Sequence, residues 1–229
     1  MTLRSPRIET MTSCEPFLGT STADLPVRGF LHCAPEPAAD GIVLTHGAGS
    51  NCQSPLLIAL AEAFCAAGHA VLRCDLPFRQ SHPTGPPPRG SAERDQAGLR
   101  AAVTAMRRET GGRIFLGGHS YGGRQASMLA ASNPALVEAL LLLSYPLHPP
   151  KRPADLRTNH FPDLKTPAFF VHGASDGFAT HAEIEAARSL IPVRSQLLPV
   201  RNTGHELISA RNRAELPEYI VKAFLSFVG

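Results

Sequence analysis

The amino-acid sequence predicts an α/β fold, a mainly parallel central sheet flanked by helices. Three observations carry this expectation. Short β-rich runs alternate with helix-period segments over most of the 229 residues, the pattern of strands joined by crossover helices. The run 139–144 (ALLLLS) is apolar up to its last residue, as a strand covered on both faces must be. Glycine-containing turns follow several of the strands at their carboxyl ends, where a sheet of this kind opens its crevice.

The elements follow in chain order. The first 24 residues form an N-terminal segment with room for an edge strand. Pro26–Cys33 reads as an early strand and Gly41–Thr45 as the next, ending in the loop His46-Gly47-Ala48-Gly49-Ser50. Ser54 can cap a helix and Pro55 suits its first turn; Leu56, Leu57, Leu60, Ala61 and Phe64 share one face before Gly68 stops it. Ala70–Cys74 is another strand. Residues 76–90 carry Pro77, Pro83, Pro86, Pro87 and Pro88, too many for a regular element, and predict a surface loop running into a helix that starts near Ser91. A strand over 113–117 precedes a helix reaching Met128 and Leu129, and the apolar run follows. Residues 145–166, with Pro146, Pro149, Pro150, Pro153 and Pro162, predict a short, mostly non-helical lid-like loop and an open site. Strand 168–171, helix 182–190, strand Ser195–Val200 and a C-terminal helix with Leu216, Ile220, Phe224 and Phe227 at core-facing spacing complete the chain. One domain over 1–229 is expected, with no repeat and no linker.

Composition narrows the function. A content of 43% hydrophobic and 18% charged residues is that of an ordinary globular enzyme with one substantial core. The formal charge of +3 comes from scattered Lys and Arg, which argues against nucleic acid or an anionic membrane as partner. The N-terminus lacks the apolar stretch of a signal peptide, and no run approaches the ~18 apolar residues of a membrane span, so a cytoplasmic location is expected. Cys14, Cys33, Cys52, Cys65 and Cys74 are odd in number and contain no C-x-x-C pair. They predict reduced, mostly buried thiols, with no disulfide framework, metal site or cofactor.

The chemistry is concentrated in three loops. Gly118-His119-Ser120-Tyr121-Gly122 fits G-x-S-x-G between a strand and a helix, the setting of a nucleophile elbow. A serine hydroxyl needs a histidine to take its proton and a carboxylate to hold that histidine in the right tautomer. Asp176, in the turn after strand 168–171, and His205, in the turn after Ser195–Val200, stand where those partners belong, and the order Ser120, Asp176, His205 suits the architecture. The amides of Tyr121 and Ala48 are the expected oxyanion donors. His46 and His172 are expected to support their loops, and His119 to pack beside the nucleophile without reacting. Arg124, one helical turn after Ser120, is expected to pair with a carboxylate such as Asp75, the alternative being a carboxylate of the substrate. Phe78, Arg79, His148 and Phe178 are the expected substrate contacts, with Arg157 and His160 further rim residues whose role stays open between solvated charge and specificity.

With these motifs in place the chain resembles the α/β-hydrolase superfamily over nearly its whole length. Its THGAGSN loop, Asp75-Leu76-Pro77-Phe78, the GGHSYGGR elbow and Tyr145-Pro146-Leu147-His148-Pro149-Pro150 look like a compact dienelactone-hydrolase-like branch. The resemblance implies the α/β-hydrolase fold and a serine hydrolase of carboxylesterase or thioesterase type, acting on a small acyl substrate without a cofactor. Some eukaryotic relatives in that branch serve as subunits of regulatory complexes, so a binding or scaffold protein of the same fold is the alternative. The chain departs from the branch in having Gly177-Phe178-Ala179 where Pro-Phe-Gly is usual. Dienelactone hydrolases proper carry a cysteine where Ser120 stands, so their substrate specificity is not carried over.

Overall fold

The computed structural model describes residues 13–20, 25–34 and 38–229. Their strands form one eight-stranded sheet in the order β1-β2-β4-β3-β5-β6-β7-β8. The strands are β1 (Ser13–Thr20), β2 (Pro26–Cys33), β3 (Gly41–Thr45), β4 (Ala70–Cys74), β5 (Ile114–His119), β6 (Ala139–Leu143), β7 (Ala168–Gly173) and β8 (Ser195–Val200). β2 runs antiparallel to both β1 and β4, and the other neighbours are parallel. The edge strand allowed for in the N-terminal segment is β1; residues 1–12 and 21–24 lie outside the described residues.

Strand alternation sorts the core into two layers. Ile42 and Leu44 of β3, Phe115 of β5, Leu141 and Leu143 of β6, and Phe169 and Val171 of β7 face α1 (Pro55–Ala66) and α6 (Leu216–Val228). Val43, Leu116, Leu140, Leu142 and Phe170 face the opposite layer with α3 (Ala92–Glu109), α4 (Tyr121–Ser132) and α5 (His181–Arg188). A side-chain period of two produces this division, and it explains why the central strands read as unbroken apolar runs. Ser54 caps α1 by accepting from the Leu57 amide, and Thr180 with Glu183 closes a capping box on α5.

Two connections differ from simple crossovers. The segment 76–90 begins with the short helix α2 (Pro77–Ser81), entered through Pro77, before it becomes loop. Between β6 and β7 no α-helix intervenes, only one 3-10 turn over Phe161–Asp163. Tyr145, Leu147, Phe161 and Leu164, all essentially buried, cover the sheet where a crossover helix would lie. Burial of such side chains is worth about 1.5–3 kcal/mol each, which lets an irregular, proline-rich segment hold its place. The Tyr145 hydroxyl donates to the Arg157 carbonyl at 2.8 Å and so avoids being an unpaired buried group.

From β3 the chain steps to β4 on one side, then crosses back over β3 to enter β5 on the other. The carboxyl ends of β3 and β5, paired at Thr45 and Gly118, therefore flank a topological switch point. Open α/β sheets place their ligand crevices at such points.

Candidate active site

Ser120 sits on the turn between β5 and α4 with φ 50° and ψ −115°, a left-handed conformation that costs an L-residue about 1–3 kcal/mol. The strain is possible because the chain crosses itself closely here. A Cβ on Gly118 would lie 2.5 Å from the Gly122 carbonyl carbon, and one on Gly122 would lie 2.5 Å from the His46 carbonyl oxygen. These approaches are the physical content of the two motif glycines.

The loops after β7 and β8 bring the other two groups to Ser120. His205 Nδ1 lies 2.8 Å from Asp176 Oδ2, and His205 Nε2 lies 2.8 Å from Ser120 Oγ. Beside a carboxylate, Nδ1 must be the donor, so Nε2 is the acceptor and the serine hydroxyl donates to it. Asp176 also accepts from the Phe178 amide at 2.8 Å through Oδ1. Burial alone would raise the Asp176 carboxyl, but the His205 hydrogen bond, the Phe178 amide and the neighbouring histidines prevail and hold it below the usual carboxylate range. The Phe178 ring stacks on His205 with centroids 4.3 Å apart and limits how the imidazole can turn.

The loop after β3 forms the opposite wall. Gly47 is packed so that a Cβ there would stand 3.4 Å from Ser120 Cβ. Among the described residues, the amides of Ala48 and Tyr121 donate to no backbone carbonyl. His46 fixes the loop from below: Nδ1 donates to the Gly47 carbonyl at 2.8 Å, and Nε2 accepts from the Leu76 amide at 3.1 Å. That pair of bonds requires a neutral ring, in line with burial lowering its pKa. Its 3.6 Å approach to Asp75 is therefore a contact between a neutral ring and a carboxylate. A cavity of about 380 Å³ opens between these loops, lined by Gly47, Ala48, Ser120, Phe178, His205 and Glu206 among others.

Several expected side-chain roles are corrected. Arg79 does not face the cavity: it is 5% exposed, and its guanidinium donates to the carbonyls of Ala48 (2.6 Å), Ser50 (2.8 Å), His82 (2.8 Å) and Gly85 (2.9 Å). It ties the loop after β3 to the proline-rich segment. Phe78 is buried between His46 and Tyr121 and also lies outside the cavity lining. His148 is turned into its own loop, with Nδ1 donating to the Pro149 carbonyl and Nε2 3.6 Å from Glu183. Phe178, by contrast, is at the cavity. Arg124 does not meet Asp75, whose carboxylate accepts from the Cys52 amide instead; α4 turns Arg124 toward the 145–166 loop, where Ser127 meets His160.

His119 supports the site as expected, and Asp95 is a supporting residue that the sequence did not mark. His119 Nε2 donates to the carbonyl of His205 at 2.8 Å, anchoring the turn that carries the base. Asp95, fully buried on α3, accepts from the Tyr121 hydroxyl at 2.7 Å and the Phe78 amide at 3.0 Å. Adjacency to Ser120 was a usable signal for His119; nothing in the spacing of Asp95 marks it. Among the described residues no group of three or more His, Cys, Asp or Glu side chains is arranged to hold a metal, and no helix is long and apolar enough to cross a membrane.

Comparison with known proteins agrees with this architecture. The chain superimposes on a dienelactone hydrolase from Anabaena variabilis with a TM-score of 0.74 at 21% identity, covering 94% of this chain and 98% of that one. Est1E from Butyrivibrio proteoclasticus gives a TM-score of 0.74 at 15% identity over 92% and 98% of the two chains. An alpha-beta serine hydrolase homologue from Coxiella burnetii gives 0.72 at 16% identity over 91% and 96%. At these identities the likeness is one of fold. A family model described as an alpha/beta hydrolase domain matches residues 38–224, which takes in the loop after β3, the elbow and the turns carrying Asp176 and His205, and the chain therefore belongs to the α/β hydrolase family.

Proposed function

We propose that the protein is a serine hydrolase that cleaves an ester, thioester or related acyl bond of a small substrate through an acyl-enzyme. The observation that carries this reading is the unbroken line of hydrogen bonds from Ser120 Oγ through His205 to Asp176, each 2.8 Å long. Ser120 Oγ attacks the acyl carbon as its proton passes to His205 Nε2. The imidazolium so formed is stabilised by Asp176 through Nδ1–H and returns the proton to the leaving group. Water then enters by the same path, with His205 as base, and releases the acid. The negative oxygen of each tetrahedral intermediate is met by the amides of Tyr121 and Ala48, and loss of one such donor costs roughly 3 kcal/mol of transition-state stabilisation. Tyr121, as the first residue of α4, adds the positive end of the helix dipole.

The cavity volume of about 380 Å³ supports a substrate of modest size. Labelling with a fluorophosphonate followed by mass mapping tests the reading. Modification at Ser120 is expected in wild type and absent in His205→Ala. A folded protein whose Ser120 stays unlabelled would favour a scaffold that has kept the fold without turnover.

A further inference from the structure

Among the described residues the half-buried Arg124 has no hydrogen-bond or ion-pair partner for its side chain. Its amide donates to the Ser120 carbonyl at 3.0 Å, so it stands one turn along α4 from the proposed nucleophile, about 6 Å along the helix axis. Its Nε is shielded from water and makes no hydrogen bond. Its charge acts on Tyr121, Tyr145, Arg157 and His160, and among the described residues it forms no ion pair with a carboxylate.

Arg157, also half-buried, has one side-chain hydrogen bond among the described residues, from Nη1 to the Pro146 carbonyl at 3.2 Å. Neutral groups join the turn of α4 that carries Arg124 to the loop that carries Arg157, and the charge of Arg124 reaches Arg157. Tyr145 donates to the Arg157 carbonyl, while Ser127 Oγ donates to the Arg124 carbonyl at 2.9 Å and accepts from His160 Nε2 at 2.8 Å. The acids of the region are committed elsewhere: Asp155 pairs with Arg152, and Asp95 holds Tyr121. Asp163 influences His160 and, among the described residues, has no ion pair with either arginine. Two guanidinium groups gathered without a carboxylate repel each other and leave fork-shaped donors unused, a cost that a bound oxyanion would offset through charge-assisted hydrogen bonds.

We propose that Arg124 and Arg157, neither of which lines the cavity at Ser120, form an oxyanion-binding subsite one turn of α4 beyond it, and that the acyl substrate carries a carboxylate or phosphate group that reaches there. The substrate part of this inference rests on the hydrolase reading above; the anion site does not. It uses a side chain that the mechanism leaves idle, and it selects among small acyl compounds by charge.

The test compares 4-nitrophenyl hydrogen succinate with the neutral 4-nitrophenyl butyrate in wild type, Arg124→Gln, Arg157→Gln and the double variant. In wild type the succinate ester is expected to have the higher kcat/KM. In Arg124→Gln the succinate-to-butyrate ratio is expected to fall about tenfold or more, with butyrate turnover held within about twofold, and Arg124→Lys to keep part of the preference. A ratio unchanged in both single variants and the double overturns the subsite while leaving the hydrolase intact. If wild type cleaves neither ester, the hydrolase reading fails and binding decides the anion site. Sodium succinate and sodium phosphate are then compared with sodium chloride at equal ionic strength for their effect on the melting temperature. A rise with either, lost in the double variant, supports the site and identifies the preferred oxyanion. No rise in wild type overturns it.

Discussion

Arg79 and Arg124 lie on the two flanks of Ser120, the first beside the loop after β3 and the second beside the loop after β6, and their guanidinium groups are used in opposite ways. Arg79 donates to four backbone carbonyls and is sealed from water. Among the described residues Arg124 makes no side-chain hydrogen bond, and its Nε is unpaired. The contrast separates a cation that builds a wall from one that is left available. A loop whose carbonyls converge can consume a guanidinium completely, and the loop after β3 does so with Ala48 and Ser50. The 145–166 loop instead directs its apolar side chains at the sheet and leaves Arg124 facing other cations and hydroxyls.

The largest effect is expected from Arg79→Met. It leaves four carbonyls without their donor and should cost about 3 kcal/mol or more, a fall in Tm of about 6–12 °C by calorimetry. Because Ala48 is both held by Arg79 and a proposed oxyanion donor, kcat on a 4-nitrophenyl ester should fall further than KM rises. Arg79→Lys should recover little, since an ammonium cannot span the fork. Unaltered melting in Arg79→Met would erase the contrast at once. Next in size is Tyr121→Phe, which removes one hydrogen bond to the buried Asp95 and should cost about 1–2 kcal/mol in urea unfolding.

A smaller effect lies in pH. Burial, then the charge of Arg124, depresses His160 to about 4, below the ordinary histidine value of about 6.5. The unfolded chain therefore takes up this proton first as pH falls. Stability tied to the neutral ring is fully present above pH ~6.5 and is lost between there and the folded value of about 4. His32, lowered to about 4 by burial and Arg73, adds to the same slope. The fall of Tm over this range should be shallower in His160→Gln, and Arg124→Gln should raise the His160 titration measured by NMR. An unmoved His160 in Arg124→Gln would mean that the arginine charge is already neutralised. The smallest effect is expected from Arg124→Gln on stability itself, within about 0.5 kcal/mol, which sets it furthest from Arg79.

What could be read from the sequence divides along the same line. β2, β3, β4 and β8 are legible to the residue, because turn-forming residues bound each of them and apolar residues predominate within. Ser120, Asp176 and His205 could be picked out because strand ends fix where their short side chains can reach. Arg79 and Arg124 could not be sorted, since a long side chain chooses its partner from tertiary neighbours. The carbonyls of Ala48 and Ser50 lie 31 and 29 residues away in the chain. Asp75 was a reasonable partner for Arg124 by proximity to the site, but the Cys52 amide had already taken its carboxylate. The short helix α2 was hidden by the prolines that follow it, and its entry at Pro77 is the position where a helix tolerates one.

The bond from His119 to the carbonyl of His205 has a mechanical consequence. His119 and Ser120 are consecutive, so the turn bearing the proposed base is moored to the peptide unit next to the proposed nucleophile. Displacement of residues 201–206 drags on the elbow, and the two reacting groups drift together rather than apart. The proposed proton transfer is then less sensitive to displacement of that turn, because the distance that matters is measured within one tethered unit.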